Sequence, residues 1–159
     1  MKRSVLTLTT GLLVGMVGAA VLFWVLMPRL MLTVHDSRLG FDDTVAAIQS
    51  SAEAHGWKCP KVYDVQKTIN GVGHDLGRVT ILSLCQPDHA FRILEEDSNK
   101  KVTAVMPCRM GVFETRDGRV RIAELNVGLM GRMFGGTIAK VMGQVAEEEK
   151  MILASVVQP

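Results

Sequence analysis

In the stretch "VMPCRMGV", Met106, Cys108 and Met110 lie two residues apart. On an extended strand alternate side chains share a face, so Ala104, Met106, Cys108, Met110 and Val112 would form one apolar row. Two readings compete for such a row. Methionine and cysteine are good core fillers. Thiolate and thioether are also the donors that suit copper(I), and methionine serves as an axial ligand of haem. A second thiol, Cys85 in "LCQP", stands at the end of another strand just before a proline turn. If the two strands adjoin, Cys85 and Cys108 can form a disulfide, hold one soft atom or carry a sulfur adduct, provided their Cα atoms come within about 7 Å. A helix starting near Asp88 would lower the pKa of a nearby thiol and make it reactive.

Other side chains could join them. Arg109 points to the opposite face of an ideal strand and supports a thiolate only if a bulge turns it. His89 is four residues from Cys85. His74 occupies the glycine-rich turn "GVGHDLG", where loops often carry ligands, although a solvated turn histidine is the blander reading. The ligand or redox set is therefore Cys85, Cys108, Arg109, Met106, Met110, His74 and His89, with copper(I) or haem as the cofactors whose chemistry fits. Spacing selects no metal-binding set of histidines, no nucleophile elbow and no paired carboxylates, so no catalytic residue is assigned. The Gly128, Gly131, Gly135, Gly136 cluster fits neither a dinucleotide fingerprint nor a phosphate loop. Glu147, Glu148 and Glu149 read as a charge run on a solvated helix face.

The chain has 159 residues, enough for one domain and an appendage. The appendage is the apolar run Val5–Met27, which holds no ionisable side chain. As a helix it covers about 34 Å at 1.5 Å per residue, enough for a hydrocarbon core of about 30 Å. A cleaved signal peptide is the rival, but its apolar region is usually about 7–15 residues. Residues 1–29 are thus expected to be a transmembrane anchor and 30–159 an exported domain. Lys2 and Arg3 precede the span, which biases the N-terminus towards the cytoplasm and the domain towards the periplasm of a bacterial inner membrane. A net charge of +2 without a basic stripe gives no sign of a nucleic-acid partner. Three cysteines are too few for a disulfide scaffold or zinc knuckle.

Periodicity then divides the exported part. "MLTVHDSRL" reads as a strand after Pro28 ends the span, and Phe41, Val45, Ile48 and Ala52 recur at helical spacing until Gly56. "CPKVYDVQKTI" and "RVTILSLCQP" read as strands around the turn, and "DHAFRILEED" as a short helix. "KVTAVMPCRMGVFET" and "RVRIAELNVGL" form a hairpin across Asp117-Gly118, the strongest turn signal in the chain. A final helix carries Ile138, Val141, Met142, Val145 and Ile152 on one face, preceded by the flexible-looking "GLMGRMFGG". The order predicts an α+β two-layer sandwich with a mainly antiparallel sheet.

"FDDTVAAI" with the following "GW", then "LCQP", "MPCRMGVFE" and "RVRIAELN", resembles the bacterial and archaeal family called domain of unknown function 302, from about His35 to Leu153. The resemblance implies a TBP-like fold of β-α-β4-α order and a tendency to form homodimers. It lends no settled activity. The family's recurrence near respiratory and sulfur-metabolism proteins makes a membrane redox complex the expected partner. Three functions remain open: an anchored extracytoplasmic binding module, an assembly subunit of such a complex, and a thiol-dependent enzyme. The enzyme is the least favoured, because no base or cofactor motif accompanies the cysteines.

Overall fold

The computed structural model describes the backbone of residues 2–158 and the side chains of residues 11–158. Five antiparallel strands make one sheet in the order β1-β5-β4-β3-β2: β1 Leu32–Asp36, β2 Lys58–Asp64, β3 Val79–Cys85, β4 Cys108–Glu114 and β5 Val120–Leu125. Six helices accompany them: α1 Lys2–Met31, α2 Phe41–Ala54, α3 Val65–Asn70, α4 Pro87–Leu94, α5 Val127–Phe134 and α6 Gly136–Leu153. The α+β class and the antiparallel sheet are as the sequence predicts. The main core lies between the sheet and α2, α4 and α6, and alternation puts Leu82 and Leu84 of β3 and Met110 and Val112 of β4 into it, all fully buried.

Four element boundaries differ from the pattern reading, each for a local reason. Helix α1 continues through Pro28 to Met31, and its stretch Gly11–Met31 is long and apolar enough to cross a membrane, with a mean hydropathy of 2.1. The expected span began at Val5, and the side chains of residues 5–10 lie outside the described residues. Asn126 fixes the end of α1, its backbone N–H donating to Met31 O at 2.8 Å and its side-chain amide to Leu30 O at 3.2 Å. These bonds satisfy carbonyls that a helix end leaves orphaned. Strand β2 stops at Asp64, whose Oδ1 accepts from Lys67 N at 2.7 Å and caps α3 where the strand was expected to continue.

Strand β4 begins only at Cys108. Its neighbour β3 ends at Cys85, so the preceding residues have no ladder to join, and Asp97–Ala104 form a 3-10 segment instead. Met106 therefore precedes the strand, and the expected five-residue row is reduced to Cys108, Met110 and Val112. The Gly/Met segment is no loose helix start either: α5 is a separate helix, capped by Asn126 Oδ1 on Leu129 N at 3.0 Å and divided from α6 at Gly135, φ 71°. Gly131 packs so closely on α6 that a Cβ there would lie 2.5 Å from Met142 Cβ, against 3.3 Å between a Cβ at Gly128 and Ala146 Cβ. Overpacking of this kind costs about 1–3 kcal/mol. Urea unfolding is expected to show Gly131→Ala clearly less stable than Gly128→Ala, and equal losses would contradict this packing.

Candidate functional site

Two strand ends deliver two thiols to one place. In the β3–β4 ladder Leu84 faces Cys108, and Cys85 is the next residue of β3. Facing Cα atoms are about 5 Å apart and residues along a strand about 3.4 Å, which puts the Cys85 and Cys108 Cα atoms about 6 Å apart. Both thiols are free. They line one small cavity, ≈ 30 Å³, together with Trp57, His89, Met106 and Met142. That volume suits a single water-sized group. On its other side Cys108 borders a second cavity of ≈ 190 Å³, lined by Met106, Met130, Met142 and Glu149 among others. Ligand pockets for larger organic groups run from about 300 Å³ upward, so neither space accommodates a haem.

Helix α6 brings two carboxylates against these walls. Glu148 accepts from Trp57 Nε1 at 2.7 Å through one oxygen and meets His89 Nε2 at 2.8 Å through the other. Glu149 is only 5% exposed and acts on the Cys108 thiol, whose pKa it helps to raise. Beyond it, Glu124 of β5 raises the Glu149 pKa through its charge and pairs with His35 Nε2 at 3.0 Å. A line of ionisable groups, Cys108, Glu149, Glu124 and His35, thus runs along the helix-covered face of the sheet. Among the described residues, Glu124 Oε2 in this line and His89 Nδ1 beside it are buried without a hydrogen-bond partner.

Burial sets the protonation of this site. It pushes the Cys108 thiol far above its ordinary range, and the neighbouring Glu149 and Cys85 push in the same direction. Cys85 is raised by burial as well. Glu149 is pushed up to about 8 by burial and then by Glu124, with the neighbouring Cys108 thiol opposing. At neutral pH both cysteines are therefore protonated. Burial opposes the activation of a thiol expected from α4: α4 does start at Pro87, capped by Gln86 Oε1 on His89 N at 2.8 Å, and desolvation raises the Cys85 pKa.

The model of the family described as "Domain of unknown function DUF302" matches residues 33–156. The chain belongs to the DUF302 family. The crystal structure of an uncharacterized conserved protein DUF302 from Bacillus stearothermophilus superposes with a TM-score of 0.70 at 20% sequence identity, over 79% of this chain and 97% of that one. At that identity the likeness establishes the fold alone. No curated protein matches the chain.

Within the DUF302 domain the residues singled out by type and spacing separate into two groups. Cys85, Cys108, Met106 and His89 meet around the small cavity. Met110 is fully buried core, Arg109 points from β4 to the opposite face of the sheet, and His74 is exposed in the turn after α3. Among the described residues, no group of three or more His, Cys, Asp and Glu side chains is placed to hold a metal ion. A metal bound here would rely on the two thiols and the thioether of Met106. The reading of the glutamate run as solvated is corrected: only Glu147 is exposed, pairing with Lys150 at 2.8 Å. Glu149 lies seven residues after Met142 and four after Val145, on the apolar stripe of α6, and that spacing was the available signal.

Proposed function

We propose that this protein is a membrane-anchored extracytoplasmic binding module that holds one soft metal ion, copper(I) by its chemistry, between Cys85 and Cys108. The observation that carries this reading is the meeting of two free thiols in a cavity sized for a single small group, beside the thioether of Met106. Thiolate and thioether are the donors a soft cation prefers, and binding displaces the thiol protons. Burial keeps both cysteines protonated at neutral pH and so makes them poor nucleophiles, which speaks against a thiol-dependent reaction. The apolar stretch Gly11–Met31 of α1 and the cationic Lys2 and Arg3 ahead of that stretch support an inner-membrane anchor with the domain in the periplasm. A membrane redox complex as partner gains support from α5, whose exposed Met133 and Phe134 belong to the helix that Asn126 ties to the end of α1.

The test is an anaerobic copper(I) titration of the full chain in detergent, in competition with a chromophoric chelator. One ion per chain is expected, with Cys85→Ser and Cys108→Ser each weakening binding on the order of 100-fold or more. Intact mass of the isolated protein checks the rival thiol adduct. Unaltered copper(I) affinity in both variants would sink the reading.

A further inference from the structure

The side chain that the thiol cavity leaves out, Arg109, belongs to a different site on the opposite face of the sheet. The register puts Lys61, Ser83 and Arg109 in one row across β2, β3 and β4, with Tyr63, Ile81 and Gly111 in the next. Residues facing each other in a ladder share a face, so Lys61 and Arg109 flank Ser83 about 10 Å apart, at roughly 4.8 Å per strand. The absence of a side chain at Gly111 leaves the surface beside Ile81 open. Helix α3 packs on β3 and supplies the second wall through Lys67 and Thr68, and the result is a groove of ≈ 540 Å³.

The charge of this groove is unbalanced. Among the described residues Lys61, Lys67 and Arg109 take part in none of the ion pairs, while Arg78, Arg119 and Arg121 elsewhere are each paired with an aspartate. The only acid in the lining is Asp64, and its Oδ1 is committed to capping α3. Three cations against one carboxylate leave two uncompensated positive charges. Lys61 already lies 6.0 Å from the ring of Tyr63, which, with Ile81, offers an apolar floor beside the charges. The volume falls within the range of about 300–1,000 Å³ typical of small-molecule sites.

We infer that this groove binds a small organic dianion, a phosphate monoester whose apolar body lies on Tyr63 and Ile81 and whose phosphate is held between Lys61, Lys67 and Arg109. Arginine and lysine donate charge-assisted hydrogen bonds to phosphate oxygens, and the guanidinium does so bidentately. The site is independent of the thiol cavity, which lies on the helix-covered face, so copper(I) binding and phosphate binding are read separately.

The test is equilibrium dialysis of the full chain, in nonionic detergent and phosphate-free buffer, against phenyl phosphate. Saturable binding is expected. Lys61→Gln and Arg109→Gln should each weaken it about tenfold or more, the worth of one charge-assisted hydrogen bond. Arg132→Gln, an exposed cation on α5, should leave it unchanged. Circular dichroism melts check that the variants, which alter exposed side chains, remain folded. Absence of saturable binding at millimolar phenyl phosphate, or equal affinity in all three variants, would overturn the inference.

Discussion

Raising the pH of the metal-free protein from 5 to 8 is expected to lower its stability by a few kcal/mol, and Glu149→Gln to remove most of that loss. The folded carboxyl, pushed up to about 8 from an ordinary value of 4.5, keeps its proton where the unfolded chain has released it. Between those two values the folded state binds more protons than the unfolded state, so stability falls as pH rises. Below 4.5 both states are protonated and the contribution is fully present; above about 8 both are ionised and the loss is complete. One pKa unit corresponds to about 1.4 kcal/mol, which makes this single side chain worth several times that amount. Urea unfolding of the wild-type protein and Glu149→Gln at pH 5, 6.5 and 8 isolates the effect from the histidines. The two should be similar at pH 5, with the variant the more stable at pH 8. Parallel pH profiles would mean that Glu149 is not buried against Cys108 and Glu124.

The second large effect is expected at Trp57. Its side chain is 1% exposed, follows the Gly56 turn at φ 80°, and donates Nε1–H to Glu148 at 2.7 Å. Trp57→Ala removes the largest fully buried side chain and opens a cavity, a change that costs about 3–5 kcal/mol. For a domain stable by roughly 5–15 kcal/mol this is a large fraction. Trp57→Phe keeps most of the volume but strips Glu148 of one donor, and an unpartnered acceptor costs about 1–3 kcal/mol. Chemical denaturation should therefore rank wild type above Trp57→Phe above Trp57→Ala. A Trp57→Ala protein within about 1 kcal/mol of wild type would contradict the packing, since core losses of that size belong to far smaller changes.

Both effects centre on α6, where the sequence misled most. Its apolar stripe was legible, because Ile138, Val141, Met142, Val145 and Ile152 recur at helical spacing and all are buried. Three consecutive glutamates concealed the continuation of that stripe. Charge normally marks a solvated face, and nothing in the local pattern says that a thiol from β4 will meet one of these acids. The assignment of Arg109 shows the reverse case. Strand alternation alone separates it from Cys108, and no bulge turns it back.

By itself the sequence determined what depends on near neighbours: the long apolar N-terminal helix, the amphipathic α2 and α6, and the Asp117-Gly118 hairpin. It also determined the α+β class that follows from their order. Periodicity and turn chemistry act over a few residues and can be read directly. Only the tertiary structure decided that Cys85 and Cys108 share one cavity, that Asn126 sets the end of α1, and that Glu149 is buried beside a thiol. Strand register joins residues far apart in the chain, and desolvation depends on what packs over a side chain, and neither is carried by local spacing.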